Sequence, residues 1–247
     1  MKPVFGRYLE DQSVLHQGRL PARAFFVPAA NEAECLQLGN VGSREKSSRV
    51  IPLNGTWAFR YFADARCIPP DIMTQDGPWD SIPVPSVWQQ FGYEPWHYVK
   101  YPFPAIPPKI PTFCPAGVYL RWFDYRPLPG GRAVLTFQGV DAAFEVYING
   151  RFAGYSQGSH FTAEFDATPF LREGVNCLCV VVFKWCWSSY LECQDKFRSS
   201  GIFRDVYLIR TMEGGLYDLH CYAFPSDSAQ GKWNLQVSAL AFGHGQD

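Results

Sequence analysis

A closely spaced series of strand-like segments constrains the fold of this chain more than any other feature. The dipeptide Asn149-Gly150 separates two of these segments and is typical of a type I′ hairpin turn. No helical pattern long enough for a crossover lies between the segments, so we expect antiparallel pairing. The pattern predicts an all-β fold, a β-sandwich of jelly-roll type. The segments are residues 117–125, 133–137, 143–148, 152–155, 176–185 and 203–209.

The first part of the chain has a different character. Residues 1–50 have weak periodicity and predict an extended N-terminal arm. A compact aromatic strand is expected at residues 57–62, directly after an Asn-Gly turn. Prolines recur through residues 78–115. Because proline disrupts helices and cannot donate to a central strand, this stretch predicts a long ordered loop over the sheet.

The pattern changes again after Arg210. Residues 211–215 resemble a linker, and two more strands are expected at 216–224 and 233–242. Two strands cannot close a sandwich, so we expect only the start of a second domain. The predicted units are an arm at 1–50, a sandwich domain at 51–212 and a partial second domain at 213–247.

Charge and cysteine usage exclude several classes of function. The net charge is -1 and charged residues make up 18% of the chain, which does not favour nucleic acid or an anionic membrane. The longest apolar run, residues 177–183, is too short to cross a bilayer. Residues 1–18 contain no apolar secretory segment, and the 8 cysteines lack the spacing of a disulfide framework or zinc ribbon. We therefore expect reduced thiols and a cytoplasmic protein.

Aromatic content and one polar segment point toward carbohydrate. Aromatic residues make up 17% of the chain. Their faces suit the apolar faces of sugar rings, although most of them are expected to fill the core. Residues 189–206 are polar and lie between two predicted strands. They predict either a sugar-contacting loop or a salt-bridged loop that holds a corner of the sandwich, and the residue types leave both open.

No pattern identifies a catalytic centre. Glycoside hydrolysis generally needs two carboxylates about 5–10 Å apart, and no acidic residue here is flanked by a recognisable catalytic pattern. Residues 154–158 match the nucleophile-elbow pattern GxSxG, but they lie between predicted strands, so we expect a chance match. The 5 histidines include no pair at metal-ligand spacing. The acidic residues considered, each expected to be structural or solvated, are Asp141, Glu145, Glu164, Asp166, Glu192, Asp195 and Asp205.

The segment Tyr190-Leu191-Glu192, together with residues 200–206, resembles the signature of glycoside hydrolase family 2, in particular of the β-galactosidases. The resemblance implies a galactose-binding-like jelly roll up to about residue 210, followed by the start of an immunoglobulin-like sandwich. In this family the catalytic glutamates lie in a TIM barrel further along the chain, so we expect a truncated chain that is inactive alone. Other segments similar to the family, in the same order, are 54–59, 82–89, 101–119 and 139–156.

The resemblance also implies a sugar site built from two loops. In the family, an Asp of the "YLEDQD" segment and an Asn before "YP" reach the galactosyl group and its sodium ion. Cys193 and Tyr98 stand at those positions here. A thiol is a poor ligand for sodium, and its presence should weaken sugar binding by roughly 1.5–3 kcal/mol. The expected substrate-binding residues of this weakened site are Tyr98, Glu192, Cys193, Asp195 and Arg198.

These observations support one main hypothesis and two alternatives. In the main hypothesis the chain is the non-catalytic N-terminal sugar-binding domain of a β-galactosidase-like hydrolase, whose full-length form cleaves terminal β-galactosides. The alternatives are a free-standing carbohydrate-binding module and a subunit that complements a separately encoded catalytic chain. The expected partners are a β-galactoside and the rest of such an enzyme. Family members use magnesium and sodium, and we expect this chain to hold neither cofactor.

Overall fold

The computed structural model describes residues 4–39, 41–98, 106–192, 195–227 and 231–242. The strands are β1 (His16–Gln17), β2 (Val50–Pro52), β3 (Gly55–Phe62), β4 (Asp80–Val84), β5 (His97–Tyr98), β6 (Ala116–Tyr125), β7 (Arg132–Phe137), β8 (Val140–Asp141), β9 (Ala143–Ile148), β10 (Arg151–Gln157), β11 (Ala163–Asp166), β12 (Gly174–Phe183), β13 (Phe197–Arg198), β14 (Gly201–Ile202), β15 (Val206–Thr211), β16 (Leu216–Asp227) and β17 (Lys232–Ala241). The helices are α1 (Glu32–Leu38) and short 3₁₀ turns at Val41–Lys46, Ala65–Cys67, Ile72–Thr74, Trp88–Phe91, Thr168–Phe170 and Trp187–Tyr190.

Two antiparallel sheets form the sandwich. The larger sheet has the strand order β1-β10-β9-β12-β6-β3-β4, and the smaller sheet has the order β11-β7-β15-β2. At the centre of the larger sheet, β6 and β12 pair from Ala116 opposite Phe183 to Tyr125 opposite Gly174. The last six residues of β12, 178–183, are all buried, because both edges of the strand are paired and both faces are covered. This explains why that part of β12 is a continuous apolar run rather than an alternating one.

A continuous apolar core lies between the sheets. Alternate residues of each strand point into it, as the two-residue period of a β-strand requires. Trp57 is fully buried there, and its indole Nε1 donates to the Leu53 carbonyl at 2.8 Å, which satisfies its polar atom. The largest buried aromatic members of this core are Trp57, Trp88, Phe59, Tyr119, Phe137 and Phe165.

The outer face of the larger sheet is covered by the N-terminal residues. The ring of Phe5 meets that of Tyr147 edge-on at 5.8 Å, and the Tyr8 and Tyr155 rings lie 5.2 Å apart. The Leu9 carbonyl accepts a hydrogen bond from the Trp187 amide at 2.7 Å. These contacts make residues 5–9 part of the packing of the sandwich.

The structure confirms the predicted all-β sandwich. Each of the predicted strands is present, with boundaries that differ by up to three residues. The Asn149-Gly150 turn joins β9 to β10, and both residues have positive φ, 52° and 77°, as a type I′ turn requires. Turn chemistry and the alternation of side chains are local properties, so the sequence alone could reveal them.

Two expectations need correction. The proline-rich stretch 78–115 is not entirely loop, because β4 lies within it and pairs with β3. Pro83 is tolerated there since β4 is the edge strand of the larger sheet, where a missing amide donor costs no ladder bond. Residues 1–50 are not wholly an extended arm either. β1 joins the larger sheet beside β10, and helix α1 begins after Asn31, whose side chain accepts from the Glu34 amide at 2.9 Å.

The C-terminal strands form a separate hairpin. β16 and β17 pair with each other and with no other strand that the structure describes. The base of the hairpin contacts the sandwich, where Asp218 accepts from the Ala24 amide at 2.8 Å and Phe242 packs beside Val50 and Tyr207. The domain boundary at 212 and the immunoglobulin-like assignment of 213–247 stay predictions.

None of the helices in the described part of the chain has the length and apolar character that crossing a membrane requires.

Candidate functional site

Two loops that are distant in sequence meet in a short two-stranded sheet. β5 pairs antiparallel with β13, so that Tyr98 lies opposite Phe197 and His97 lies opposite Arg198. We call these two strands the ribbon. The Tyr98 hydroxyl donates to the carboxylate of Asp195, 97 positions further along the chain. The ribbon therefore brings together residues from the two loops that the sequence analysis implicated.

The predicted site residues do not all face outward. Glu192 accepts from the Ser159 amide at 3.1 Å and also from the Ser159 hydroxyl, which holds the carboxylate against the sandwich. Arg198 is buried, and its Nη1 donates to the Glu192 carbonyl at 3.0 Å. Both residues thus fix the shape of the loop, and substrate contact by either stays a prediction. Cys193 lies outside the described residues.

Asp141 anchors the same loop from beneath. Its carboxylate is buried and accepts from the Ser159 hydroxyl at 2.9 Å and the Ser199 hydroxyl at 2.8 Å. Lys196 lies 3.9 Å from the same carboxylate. Pairing of β14 with β8 places Gly201 opposite Asp141. Since buried carboxylates need donors, this arrangement ties the loop to the frame at several points.

Glu94 links the two loops through a network of charged and polar groups. Its Oε2 accepts from Trp88 Nε1 at 3.1 Å and from Gln89 Nε2 at 3.0 Å, and its Oε1 pairs with the Lys184 ammonium. Gln89 Oε1 in turn accepts from the Ser200 amide at 3.0 Å. The network therefore runs from the β5 loop through Gln89 to the β13 loop.

Burial has an electrostatic consequence at Lys184. The side chain is 1% exposed, and desolvation lowers the pKa of the ammonium, while the bond to Glu94 acts in the opposite direction. Removing one partner of such a pair leaves a buried charge uncompensated, which is strongly destabilising. The geometry of the ribbon thus depends on an ion pair buried beneath it.

The outward face of the ribbon is aromatic. Trp96 and Tyr98 are each 47% exposed, and Phe197 is 57% exposed. The Phe197 ring meets Trp96 with centroids 5.9 Å apart and planes at 71°, and it meets Tyr98 at 5.6 Å and 63°. We call these three side chains the aromatic corner. Clustered exposed apolar surface of this kind typically marks an interaction site.

A groove adjoins this region on the side of the Glu192 loop. It has a volume of about 560 Å³, and its rim includes the exposed apolar side chains Leu15, Phe161 and Leu191. Arg23 and Glu164 in its wall form a bidentate ion pair, with N–O distances of 2.6 and 2.7 Å. The groove is therefore apolar at its rim, and its wall contains the Arg23–Glu164 ion pair.

The remaining acidic candidates have structural partners. Glu145 accepts from the Gly6 amide at 3.0 Å and the Tyr147 hydroxyl at 2.8 Å, and burial raises its pKa to about 7. Asp166 accepts from the Thr168 amide at 2.9 Å, and Asp205 accepts from the Asn54 side chain at 2.9 Å. These contacts agree with the structural roles expected for them.

The GxSxG segment lacks the setting of a nucleophile elbow. Ser156 lies inside strand β10, between β1 and β9, and its hydroxyl accepts from Arg19 at 3.1 Å. An elbow requires a turn between a strand and a helix. For metals, the described residues contain no group of three or more His, Cys, Asp or Glu side chains that could hold an ion.

Sequence reasoning missed the residues that hold the ribbon. Glu94 and Gln89 lie in the proline-rich stretch, and nothing in their spacing predicts a shared partner at Ser200. Lys184 was detectable, because a charged residue directly after the apolar β12 implies a buried counter-charge. Trp96 and Phe197 were hidden among many aromatic residues, most of which fill the core.

Solved structures establish the class of fold. A β-glucuronidase from an uncultured Clostridium sp. superposes with a TM-score of 0.56 at 19% identity, covering 78% of this chain and 34% of that one. The β-D-glucuronidase of Dictyoglomus thermophilum gives 0.55 at 17% identity, covering 78% and 33%. At this level of identity the similarity concerns the fold alone, a β-sandwich found within larger glycosidase chains.

Similarity in sequence assigns the chain to one family of glycosidases. The family model "Glycosyl hydrolases family 2, sugar binding domain" matches residues 50–212. The β-galactosidase of Actinobacillus pleuropneumoniae is 41% identical over 240 residues, which is 96% of this chain and 23% of that protein. The β-galactosidase of Yersinia enterocolitica is 44% identical over 173 residues, 68% of this chain and 16% of that protein. This chain belongs to glycoside hydrolase family 2, and it spans at most about a quarter of the length of these relatives.

Proposed function

We propose that this chain serves as the non-catalytic sugar-binding domain of a β-galactosidase-like glycoside hydrolase, in which it forms part of the wall of a site for terminal β-galactosides. The observation that carries the proposal is the ribbon, which places Tyr98 and Asp195 together on a loop pair fastened to the sandwich. The match to the family's sugar-binding domain supports it, as do relatives named β-galactosidase.

Within this proposal the site residues divide into two groups. Tyr98 and Asp195 contact the sugar, because both are exposed and joined by a hydrogen bond at the surface. Glu192 and Arg198 hold the loop from inside, as their bonds to Ser159 and to the loop backbone indicate. We assign Cys193 to the same loop on the sequence alone. Catalysis is assigned to a separate barrel, as the resemblance to the family implies.

Sodium and magnesium are not assigned to this chain in the proposal. Sodium prefers several hard oxygen ligands around one point. Asp195, an exposed carboxylate hydrogen-bonded to the ribbon residue Tyr98, already accepts the Tyr98 hydroxyl, and the sequence has a cysteine two positions earlier, at 193. The donor chemistry of these residues therefore does not suit a hard cation.

An assay of the purified chain tests the proposal. With a chromogenic β-galactoside we expect no turnover above the uncatalysed rate. The matched variants are Asp195→Asn, at the ribbon, and Asp166→Asn, which is remote from it. Sustained turnover by the wild type that Asp195→Asn abolishes and Asp166→Asn preserves would show a catalytic centre here and overturn the proposal.

A complementing subunit is a second candidate, and the C-terminal hairpin favours it. Trp233, Leu235 and Val237 alternate along β17 and are 67%, 67% and 53% exposed, so they form an uncovered apolar face. A catalytic polypeptide could cover this face. Co-purification with the product of a neighbouring gene supports this candidate, whereas a soluble monomer that captures no such product counts against it.

Three finer assignments are also part of the proposal. We propose that the sandwich is a jelly roll, which its two antiparallel sheets support, and that 213–247 belong to an immunoglobulin-like domain, which the β16–β17 hairpin supports. We propose a cytoplasmic location, for which the support is the spacing of the cysteines in the sequence. The other alternative is a free-standing carbohydrate-binding module. Titration of the chain with sugars tests it.

A further inference from the structure

The groove beside the Glu192 loop lies where several segments of the chain meet. Leu15 and Phe25 belong to the N-terminal residues, Phe161 to the turn between β10 and β11, and Leu191 to the loop after β12. These four side chains are between 47% and 75% exposed. Single exposed apolar residues are common on protein surfaces, but four around one groove mark a binding site.

Hydrogen bonds between these segments fix the shape of the groove. The side chain of Gln157 joins two of them, because its Nε2 donates to the Val14 carbonyl at 2.9 Å and its Oε1 accepts from the Ser188 amide at 3.3 Å. The Leu20 amide donates to the Glu164 carbonyl at 2.8 Å, which fastens the N-terminal residues to β11. A groove held in this way is pre-organised, which lowers the ordering cost of binding.

Arg19 brings an uncompensated positive charge into this apolar groove. Its Nη1 donates to the Ser156 hydroxyl at 3.1 Å, and within the part of the chain that the structure describes no carboxylate forms an ion pair with it. Burial lowers the pKa of the guanidinium, which stays charged at neutral pH. Burial and the charge of Arg19 together lower the pKa of His16. Since a half-buried cation without an anion is unfavourable, the groove favours an anionic occupant.

The other charged residues of the groove already have partners. Arg23 and Glu164 form the bidentate ion pair described above. Both carboxylate oxygens of Glu192 accept from Ser159, which is fully buried. Arg19 has only the neutral Ser156 hydroxyl through Nη1, so the remaining N–H groups of its guanidinium are available to a ligand.

We infer that the groove binds a small amphiphilic carboxylate, whose apolar body lies against Phe161 and Leu191 and whose carboxylate accepts hydrogen bonds from Arg19. Guanidinium and carboxylate groups match in geometry and charge. The volume of about 560 Å³ is in the range of small-molecule sites, which are mostly apolar with a few polar groups that orient the ligand. A stable polypeptide interface needs a wider surface, about 800 Å² on each partner. The site is separate from the ribbon, and the inference goes beyond the proposed function.

Isothermal titration calorimetry on the chain of residues 1–247 tests this inference. The ligands are 4-phenylbutyrate, 4-phenylbutan-1-ol and 4-phenylbutylamine, which share one apolar body and differ in the charge at its end. We expect the carboxylate to bind with a Kd about tenfold lower than the alcohol, and the amine to bind most weakly. Arg19→Gln should remove the preference for the carboxylate over the alcohol. Phe161→Ala should raise the Kd of both ligands by a similar factor, about three- to tenfold.

Two control variants make the result specific. Arg151→Gln removes the same charge from an exposed arginine that does not line the groove, and it should leave every Kd unchanged. Arg19→Lys keeps the charge and should retain most of the preference for the carboxylate. The NMR titration of His16 gives a second readout, because a carboxylate bound at Arg19 should raise the pKa of His16 and the alcohol should not. Thermal unfolding checks the folding of each variant.

Several outcomes would overturn the inference. One is the absence of 4-phenylbutyrate binding at millimolar concentration, and another is an equal Kd for the carboxylate and the alcohol. An equal loss of affinity in Arg151→Gln would show an effect of net charge alone. A wild-type dimer that Arg19→Gln dissociates would show that a second copy of the chain occupies the groove. If Arg19→Gln does not fold, the three ligands compared on the wild type decide the question.

Discussion

The ribbon and the C-terminal hairpin are both two-stranded antiparallel sheets, yet they are stabilised in opposite ways. Each ribbon strand has two residues, too few to persist alone, and its order comes from buried side chains such as Glu94, Lys184 and Arg198. The hairpin strands have twelve and ten residues and hold together mainly by pairing with each other. A short sheet can thus be rigid through tertiary contacts, while a long one leaves its apolar side chains exposed.

The largest expected effect is at Glu94. Glu94→Ala removes the partner of the buried Lys184 ammonium and the acceptor for Trp88 and Gln89. We expect a loss of about 3–5 kcal/mol in the free energy of unfolding, measured by urea denaturation. The control is Lys109→Ala, which breaks the exposed pair with Glu10 and should cost less than about 1 kcal/mol. Similar losses in both variants would mean that the ribbon does not depend on its buried pair.

Glu145 is a second buried carboxyl and contrasts with Glu94, which pairs with a cation. Its hydrogen bonds come from the Tyr147 hydroxyl and the Gly6 amide. Burial raises its pKa from 4.5 to about 7, against smaller lowering effects from these bonds and from the charge of Arg7. The folded state therefore favours the protonated form. Its contribution to stability is fully present below about pH 4.5 and is lost as the pH rises through about 7.

Glu145→Gln tests this pH dependence. The difference between the two pKa values corresponds to a loss of about 3 kcal/mol for the wild type between pH 4.5 and pH 8. The variant is neutral at every pH and can keep both hydrogen bonds, so it should lack this loss. The measurement is the free energy of unfolding at several pH values for the two proteins. Parallel pH profiles would show that folding leaves the pKa of Glu145 unchanged, and would contradict the prediction.

The smallest effect is expected on the hairpin. Leu235 in β17 is 67% exposed, whereas Leu208 in β15 is fully buried. Leu235→Ala should change the free energy of unfolding by less than about 0.5 kcal/mol, and Leu208→Ala should cost about 2–5 kcal/mol. A loss above about 1.5 kcal/mol for Leu235→Ala would reveal that the hairpin face is covered in solution, and the contrast with the ribbon would then fail.

Much of the fold was predictable from local sequence pattern. Asn149-Gly150 marked its hairpin correctly because a type I′ turn depends on the backbone freedom of those two residues. The strands around this turn have either alternating or continuous apolar residues. This pattern is visible in the sequence even when the pairing of the strands is unknown. β4 was missed because Pro83 argues against a central strand, and only the assembled sheet shows that it lies at an edge.

The candidate site was predictable only in part. Tyr98 and Asp195 were proposed from a family resemblance, and the structure shows them hydrogen-bonded across the ribbon. The same reasoning could not show that the Glu192 carboxylate is held against the sandwich by Ser159. It also could not separate Trp96 and Phe197 from the aromatic residues of the core, since exposure is not encoded in residue type.

The sequence by itself determined the strands, the tight turn and the family, since these depend on side-chain alternation, backbone preference and ordered motifs along the chain. Only the tertiary structure decided which polar groups share a partner. Glu94 joins Trp88, Gln89 and Lys184 because folding removes all of them from water, and each must then find a hydrogen bond or opposite charge nearby. These buried contacts hold the ribbon and the aromatic corner in place. They join residues that lie far apart in the sequence, so no local sequence pattern could predict them.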